Sequence, residues 1–348
     1  MENIPTNLET PAAWKGSEMN SSTQLWIWQL QENESKELLL ATKEFLQAGV
    51  PLENISKYNF KLTTLGKKLS LIKDDLTNGI GFRVIRGLDI NNLTREEIAT
   101  IFMGIGAHIG VPRSQNAKGH LLGHVRNVGA DVSNNNSRIY QTNQRQTFHT
   151  DSADVVALIC LQTAQEGGES LLVSAETIYN EMLKRRPDLA KLLFENIATD
   201  KRGEIEAGKK PYFSIPVFSW YKEKLSVIYQ RQYIESAQRF KEVPTLTPLH
   251  VEALDLFDEL ANDSSLNISM QLEKGDMQFV HNHSMLHDRG SFIDWPQVEK
   301  RRHLLRLWLS VPEDRELPDI FSERFGTTTV GNRGGIMLEN TKPHVPLD

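Results

Sequence analysis

The chain has 348 residues and a formal net charge of −6, with 39% hydrophobic and 24% charged residues, which is an ordinary globular composition. No apolar stretch approaches the length of a membrane span, and no block of Lys and Arg indicates a surface that follows nucleic-acid phosphates. The single cysteine, Cys160, excludes an intrachain disulfide framework, and its apolar neighbours predict a small buried side chain.

The N-terminal segment, residues 1 to 24, is predicted to be a loose arm. It is polar, contains Pro5 and Pro11, and has no apolar core, so it does not have the pattern of a secretory signal peptide. Together with the absence of apolar spans, this predicts an intracellular, cytoplasmic protein that binds neither membrane nor nucleic acid.

Hydrophobic periodicity places helices early in the chain and strands later. Apolar residues at helical spacing and capping residues predict helices over 34–48, 65–76, 95–109, 175–186 and 248–262. Short runs rich in β-branched and apolar residues predict strands over 25–30, 80–85, 121–127, 155–163, 169–173, 213–218, 225–229, 267–271, 276–280 and 304–311.

This order of elements predicts an α+β fold. Helices come mostly first, and a β-rich body of seven or eight short strands follows, a set that closes as a sandwich or a jelly roll. No internal repeat and no linker rich in Pro, Gly or Ser divides residues 25–348, so a single domain is expected there.

Three polar, Gly-containing segments show no periodicity: 113–120, 129–146 and 199–210. Each is either a solvated loop or a lid over a site. The lid interpretation has most support for 129–146, because that segment leads directly into the His-x-Asp motif described next.

The motif His149-Thr150-Asp151 is the first candidate for a metal site. On a predicted strand, side chains at i and i+2 point to the same face, so the imidazole and the carboxylate can reach one point. The best third ligand is His287, since two His and one carboxylate form the facial triad of non-haem Fe(II) oxygenases. On chemistry alone, His281 and His283 compete with it.

A second His-x-acid pattern, His250-Val251-Glu252, does not qualify. It lies in the predicted helix 248–262, where residues i and i+2 face nearly opposite ways and cannot bind one ion. A polar helix surface is the expected role of both side chains.

Read together, three segments resemble the taurine dioxygenase/TfdA family of Fe(II)- and 2-oxoglutarate-dependent dioxygenases. They are His-Thr-Asp at 149–151, Asn-His-x-x-Leu-His-x-Arg-x-x-Phe at 282–292 and Arg-Arg-x-x-x-Arg at 301–306. They occur in the family's order, and the resemblance covers about residues 80 to 312. It implies a double-stranded β-helix, or jelly-roll, core with flanking helices.

The resemblance also implies roles for individual residues. His149, Asp151 and His287 match the iron ligands, which makes His283 a structural histidine. Arg306 matches the arginine that pairs with the distal carboxylate of 2-oxoglutarate, and a guanidinium fork suits that carboxylate. Two further residues match less closely: Arg302 resembles a second family arginine near the keto-acid end, and Ser170 stands where many relatives carry a Thr that binds the distal carboxylate.

The sequence offers three candidate residues for contact with the primary substrate. Arg145 precedes His149 by four residues, where family members place a substrate contact, and a positive charge there suits an acidic or amino-acid-like molecule. Asn143 and Gln115 are candidates of the same kind. For all three, a solvated loop position is the alternative.

The resemblance implies oxidation of an unactivated C–H bond of a small molecule with O2, while 2-oxoglutarate is converted to succinate and CO2. Hydroxylation is the expected outcome, and desaturation or ring closure of the kainoid type is the alternative. Because Asp151 is present, halogenation is disfavoured. A non-catalytic metal-binding jelly roll is the alternative outside enzymes, although Arg306 argues against it. Family members are often dimers or tetramers, which makes a homo-oligomer compatible with the resemblance.

Overall fold

The computed structural model describes residues 4–130, 138–205, 208–336, 338 and 341–348. Its α-helices are α1 (Gly16–Asn20), α2 (Glu32–Gln47), α3 (Leu65–Asn78), α4 (Arg95–Ile109), α5 (Ala175–Arg185), α6 (Pro187–Leu192), α7 (Arg231–Ala237), α8 (Pro248–Asn262) and α9 (Ser322–Phe325). Its strands are β1 (Ile27–Gln29), β2 (Phe82–Arg86), β3 (Val111–Arg113), β4 (Leu122–Val125), β5 (Gln146–His149), β6 (Val155–Gln162), β7 (Glu166–Gly167), β8 (Ser170–Ser174), β9 (Asn196–Asp200), β10 (Tyr212–Pro216), β11 (Phe218–Tyr221), β12 (Lys224–Val227), β13 (Asn267–Met270), β14 (Met277–His281), β15 (Met285–Arg289), β16 (Phe292–Ile293) and β17 (His303–Ser310).

Two main sheets organise the described residues. The larger sheet has the order β1-β2-β14-β6-β17-β3, with β4 also paired to β17, and the smaller has the order β13-β8-β15-β5. Strands β9 and β10, β11 and β12, and β7 and β16 form two-stranded pairs. The pair β1–β2 is parallel and the other named pairs are antiparallel.

Alternation along β17 separates two layers of the core. Leu305, Leu307 and Leu309 pack with α2, α3 and α4 on the outer face of the larger sheet. Leu304 and Trp308 point the other way, into the apolar layer that both sheets share. Successive side chains of a strand point to opposite faces, so Arg306 belongs to this inner face.

The smaller sheet is covered on its outer face by a second group of helices. Phe148 of β5 and Leu286 of β15 pack there against α5, α6 and α8. The sequence of layers is therefore helices, larger sheet, smaller sheet, helices, and the space between the two sheets is where inward side chains of β5, β15 and β17 meet.

The predicted mixture of helices and strands around a central sheet is confirmed. Helix α8 has the predicted bounds because Thr247 accepts a hydrogen bond from the His250 backbone N–H and Pro248 occupies the first turn, where it needs no partner. Among the elements that the prediction missed are α6, α7, β9 and β15. Strand β9 extends into the segment 199–210 that was expected to be irregular.

The expectation of a loose arm over residues 1 to 24 is wrong for part of that segment. Trp14 is buried, donates its indole N–H to the Ile80 carbonyl at 2.9 Å, and its ring packs on Phe82 with centroids 5.3 Å apart. Helix α1 packs against β13. The segment is short of apolar residues, but the few it has are large, and each buries enough area to hold the chain.

Cys160 is 2% exposed in the layer between the sheets, as predicted. Among the residues described, no helix has both the length and the apolar character to cross a membrane.

Candidate active site

The pairing of β5 with β15 brings two histidines side by side. His149 and His287 are Cα partners across this antiparallel pair, and their ring centroids are 4.2 Å apart. Both side chains point between the sheets because Phe148 and Leu286, their neighbours in sequence, pack on the outer face. A strand pairing that is fixed by core packing thus sets the distance between the imidazoles.

Asp151 lies two residues after the end of β5 rather than on a continuous strand. Its backbone N–H donates to the side-chain oxygen of Asn282 at 3.0 Å, and the Asn282 amide nitrogen donates to the Ala153 carbonyl at 3.0 Å. Asn282 is in the turn between β14 and β15, so the turn that precedes His287 also holds the segment that carries Asp151. The sequence motif contained this Asn, but nothing in the sequence assigned it that role.

The three side chains converge on one point. His149 Nε2 is 4.0 Å from Asp151 Oδ1, His287 Nε2 is 3.7 Å from Asp151 Oδ2, and one ligand atom from each residue lies within 4.8 Å of the others. An ion that bonds N and O ligands at about 2.1 Å can bridge atoms up to ~4.2 Å apart. The two His–Asp distances therefore fit one divalent transition metal, with one side left open towards the cleft.

The protonation of His149 is suited to metal binding. Its Nδ1–H donates to the Thr147 carbonyl at 2.9 Å, which leaves the lone pair of Nε2 to accept from the Gln146 amide at 2.8 Å. Burial lowers the pKa of His149, and burial together with His149 lowers the pKa of His287 to about 3. Both imidazoles are therefore neutral near pH 7, as metal ligands must be.

The carboxylate of Asp151 is held ionised. Burial raises its pKa, but Arg306 and the two histidines outweigh burial and lower the pKa to about 2. Arg306 donates to Oδ2 at 3.2 Å, and the Trp308 indole donates to the same oxygen at 2.8 Å. Trp308 was not predicted to be a site residue, although its position two residues after Arg306 on one strand was a usable signal.

Gln115 positions Arg306. Its side-chain oxygen accepts from Arg306 Nε at 2.8 Å, and its amide nitrogen donates to the backbone carbonyls of Arg306 and Leu121 at 2.7 and 3.0 Å. The guanidinium also lies over the Tyr140 and Trp308 rings, 4.8 and 4.9 Å from their centroids. Every polar atom of the Gln115 side chain is thus used to hold the arginine beside the triad.

A second cavity between the sheets contains Arg302 and Ser170 and extends to His149 and His287. Arg302 is 5% exposed. Its Nη2 donates to the Gly168 carbonyl at 3.3 Å, and its other terminal nitrogen, Nη1, is buried without a partner among the described residues. Burial lowers its pKa to about 10. Among the described residues, no carboxylate forms an ion pair with it.

Glycine makes room for this arginine. Gly168 has φ +75, and a Cβ there would lie 2.8 Å from Arg302 Nε. Gly167 also has φ +72, so the pair forms a turn in the left-handed region that only glycine adopts without cost. The Gly-Gly pair is therefore a turn that packs against the guanidinium of Arg302.

Arg145 and Asn143 do not line either cavity. Arg145 forms an ion pair with Asp288 at 2.5 Å, and Asp288 follows His287 and so points to the opposite face of β15. The pairing register explains why Arg145 does not face the cavities. His287 pairs with His149 but Arg289 pairs with Gln146, so two residues of β5 lie opposite the single residue of β15 between these pairs. This β-bulge turns Arg145 away from the face of His149. Asn143 is exposed.

The open side of the triad faces a cleft of ≈ 770 Å³, a volume that includes solvent outside its mouth. Arg138, Ile139 and Tyr140 from the segment 129–146 form one wall, while residues 131–137 of that predicted lid lie outside the described residues. Thr199 and Glu204 from the segment 199–210 also line the cleft, whereas residues 206–207 are not described. The segment 113–120 contributes Gln115.

The competing histidines belong to a separate buried cluster. His283 Nε2 is 2.8 Å from Asp154 Oδ1, and His281 Nε2 is 3.1 Å from Asp314 Oδ1. Arg333 donates to both carboxylates, at 2.7 and 3.1 Å. Asp154, His283 and Asp314 have the side chains of a metal site, but the guanidinium of Arg333 already occupies one oxygen of each carboxylate.

The helical His-x-Glu pattern behaves as expected. His250 pairs with Glu195 at 3.2 Å, whereas Glu252 pairs with Arg186 at 2.5 Å. The two side chains therefore have different partners and do not share a site.

Comparison with known proteins agrees with this geometry. Residues 48–308 match the family described as taurine catabolism dioxygenase TauD, TfdA family. FR-33289 synthase from Streptomyces rubellomurinus is 32% identical over 317 residues, which are 89% of this chain and 92% of that protein. The taurine hydroxylase-like protein SAT17 from Stachybotrys chartarum is 31% identical over 310 residues, covering 86% and 79%.

Solved structures share the fold. An asparagine oxygenase in complex with Fe(II), 2S,3S-3-hydroxyasparagine and succinate superposes with a TM-score of 0.64 at 15% identity, covering 82% of this chain and 93% of that one. The non-heme iron oxygenase OrfP, in complex with Fe and alpha-ketoglutaric acid, gives 0.62 at 17% identity, covering 81% and 93%. With the family match over most of its length and two relatives above 30% identity, the chain belongs to the TauD/TfdA family of Fe(II)- and 2-oxoglutarate-dependent dioxygenases.

Proposed function

We propose that this dioxygenase hydroxylates an unactivated C–H bond of a small, acidic or amino-acid-like molecule and releases succinate and CO2. The observation that carries the proposal is the convergence of His149, Asp151 and His287 at the base of an open cleft. When bound there, iron with 2-oxoglutarate supplies the activation of O2 and the oxidising power.

The surrounding residues prepare the site for that chemistry. Neutral His149 and His287 and ionised Asp151 present three lone pairs without a proton to displace. Trp308 and Arg306 hold the Asp151 carboxylate in one orientation through Oδ2, which leaves Oδ1 for the metal. The side-chain amide of Gln146 donates a hydrogen bond to His149 Nε2, so it must turn away when a metal binds there. Gln146 lines both cavities, which give its side chain space to move.

We further propose that Arg302 and Ser170, rather than Arg306, bind the distal carboxylate of 2-oxoglutarate. Arg302 is a buried cation without an acidic partner among the described residues, and a buried charge of this kind needs a counterion. Ser170 lines the same cavity, where its hydroxyl donates to Gln278 at 2.9 Å. Arg306 already has Asp151 as its partner.

This assignment predicts a large effect at Arg302. Arg302→Gln should raise the 2-oxoglutarate concentration needed for half-maximal succinate formation by roughly ten- to a hundredfold, because a charge-assisted hydrogen bond is lost in a shielded site. The exposed neighbour Arg301, changed to Gln, is the matched control and should have no effect. If Arg306→Gln raises the requirement and Arg302→Gln does not, the original assignment of the clamp to Arg306 is the right one.

The iron content of variants tests whether His287, rather than His283, is the third metal ligand. His287→Ala should lose most bound Fe(II) after equilibrium dialysis, whereas His283→Ala, which alters the Asp154 cluster, should keep near-stoichiometric iron wherever it remains folded. Circular dichroism of each variant separates loss of iron from loss of fold. Greater iron loss in a folded His283→Ala protein would show that the wrong histidine was chosen.

For the architecture we propose that the two main sheets form a double-stranded β-helix within a single domain over residues 25–348. The antiparallel pairings and the shared apolar layer between the sheets support it. Limited proteolysis that yields one stable fragment spanning both sheets would agree, and separation into two stable halves would contradict it.

The decisive experiment for the function is anaerobic titration of the metal-free protein with Fe(II) and 2-oxoglutarate. A weak visible charge-transfer band is the expected signature of the chelated keto acid, and oxygen should then convert 2-oxoglutarate to succinate. Metal binding without the band would favour a non-catalytic metal site. Analysis of the product of an accepted substrate separates hydroxylation from desaturation or ring closure.

A further inference from the structure

The cleft in front of the triad contains more positive charge than its own acids can neutralise. Three arginines line it, Arg138, Arg306 and Arg324, but only two acids, Asp151 and Glu204. Arg306 pairs with Asp151 at 3.2 Å and Arg138 pairs with Glu204 at 2.8 Å. Arg324 has no acidic partner, since no carboxylate oxygen of a described residue lies within 4.0 Å of its guanidinium nitrogens.

Arg324 is fixed in place by groups that do not neutralise it. Its Nε donates to the hydroxyl of Ser152, and its guanidinium lies 5.6 Å from the centroid of the Phe213 ring. Its two terminal nitrogens form no hydrogen bond with any described residue. Arg324 lines the cleft, so these nitrogens are available to a ligand. Burial lowers its pKa, and Glu204 acts on it only from beyond ion-pair distance.

The position of Arg324 is also close to the chemistry. Ser152, its hydrogen-bond partner, directly follows the ligand Asp151, and consecutive Cα atoms are about 3.8 Å apart. The backbone around Ser152 is held from the other side, because its carbonyl accepts from the Gly335 N–H at 2.6 Å. A group bound by the terminal nitrogens of Arg324 therefore lies on the cleft side of the triad.

We propose that Arg324 binds an oxyanion of the primary substrate, a carboxylate or a phosphorus oxyanion, and that the enzyme selects anionic over neutral substrates through this residue. The inference rests on the proposed dioxygenase function. The two terminal nitrogens of Arg324 form one free edge of the planar guanidinium, and such an edge binds two oxygens of one oxyanion. The apolar and aromatic wall formed by Ile228, Tyr229 and Ile336 would receive the rest of the molecule.

The charge count supports this assignment when iron and 2-oxoglutarate are included. Fe(II) brings two positive charges and 2-oxoglutarate two negative ones, and one of these negative charges is already assigned to Arg302. Loading the site with both therefore supplies no spare negative charge for Arg324. An unpaired cation in a cleft of low dielectric constant raises the free energy of the protein. An anionic ligand that pairs with the cation removes this penalty and therefore binds more tightly. A neutral ligand of the same shape would leave the guanidinium without a counterion.

The test uses the full-length protein with matched small probes: butyrate, propylphosphonate and the neutral butyramide. Binding is followed anaerobically, with Fe(II) and saturating 2-oxoglutarate, by the change in the charge-transfer band. We expect saturable responses from one or both anions and binding of butyramide that is weaker by roughly ten- to a hundredfold, the loss of a charged hydrogen bond. The stronger anion identifies the kind of oxyanion.

Variants assign the preference to the residue. Arg324→Gln should weaken anion binding by the same roughly ten- to hundredfold while butyramide binding stays the same, and Arg324→Lys should restore part of the difference. Arg301→Gln, an exposed arginine outside the cleft, is the matched control. Equal binding of anion and amide, unchanged anion binding in Arg324→Gln, or no saturable response to either anion overturns the proposal.

Failure of the two proposals can be told apart. If Fe(II) and 2-oxoglutarate produce no charge-transfer band, the proposed function fails, and ligand-observed NMR with the metal-free protein still measures the anion preference. If the band forms but Arg324→Gln leaves the preference unchanged, only the oxyanion inference fails.

Discussion

Asp151→Ala is expected to abolish iron-dependent turnover while the protein remains folded. The substitution removes one of the three proposed metal ligands. Losing even a group that only supports a ligand costs about 10- to 100-fold in affinity or activity, so the loss here should exceed ~100-fold. It also leaves Arg306 and the Trp308 indole without the carboxylate oxygen they share. The measurement is succinate formation from 2-oxoglutarate, with iron content determined on the same sample.

Two controls make the result interpretable. Asp151→Glu keeps a carboxylate and should retain more iron than the alanine variant. Glu252→Ala, in the helical His-x-Glu pattern, should leave both iron and activity at the level of the unaltered protein. Undiminished turnover in folded Asp151→Ala would remove Asp151 from the metal site and with it the facial triad.

Arg333→Met is expected to be the most destabilising of the substitutions considered. Arg333 is 0% exposed and donates to the carboxylates of Asp154 and Asp314, both buried. Burial and neighbouring groups keep His281 and His283 neutral near pH 7, since the pKa of His281 falls to about 4 and that of His283 is also lowered, so the histidines cannot replace the lost charge. Removing one partner of a buried ion pair lowers the free energy of unfolding by about 3–5 kcal/mol.

A cost of this size is a large part of the stability of a typical domain, which is about 5–15 kcal/mol. Chemical denaturation should therefore show a clear fall in the free energy of unfolding for Arg333→Met. Arg301→Met, an exposed arginine changed in the same way, should stay within about 0.5 kcal/mol. Equal midpoints and slopes for the Arg333 variant and the unaltered protein would show that the cluster does not stabilise the fold.

The Arg333 cluster also explains how distant parts of the chain support the triad. Asp154 accepts from the Ser310 hydroxyl at 3.2 Å and from the Val311 backbone N–H at 2.8 Å, at the end of the strand that carries Arg306 and Trp308. Gly335 donates to the Ser152 carbonyl. The C-terminal segment is thereby tied to the stretch that contains Asp151, so Arg333 is expected to position this ligand segment as well as to stabilise the core.

Local sequence patterns were sufficient for most elements of the fold. Helix α8 could be bounded because Thr247 and Pro248 form a capped start, and β17 because its apolar residues are buried on both faces. The strand β15 was missed since its polar residues, His287, Asp288 and Arg289, lack the apolar alternation that marks a strand. Those residues are there for the site, and local propensity fails where function requires unusual side chains.

The sequence by itself determined which residue types form the candidate metal site, because His-x-Asp and Leu-His-x-Arg are each local patterns. Only the tertiary structure decided which arginines face the cavities. One extra residue in β5 turns Arg145 to the outer face, since side chains alternate with period two and a bulge reverses that alternation. Likewise, Arg324 reaches Ser152 across 172 positions of sequence, a contact that depends on long-range packing and leaves no local signal.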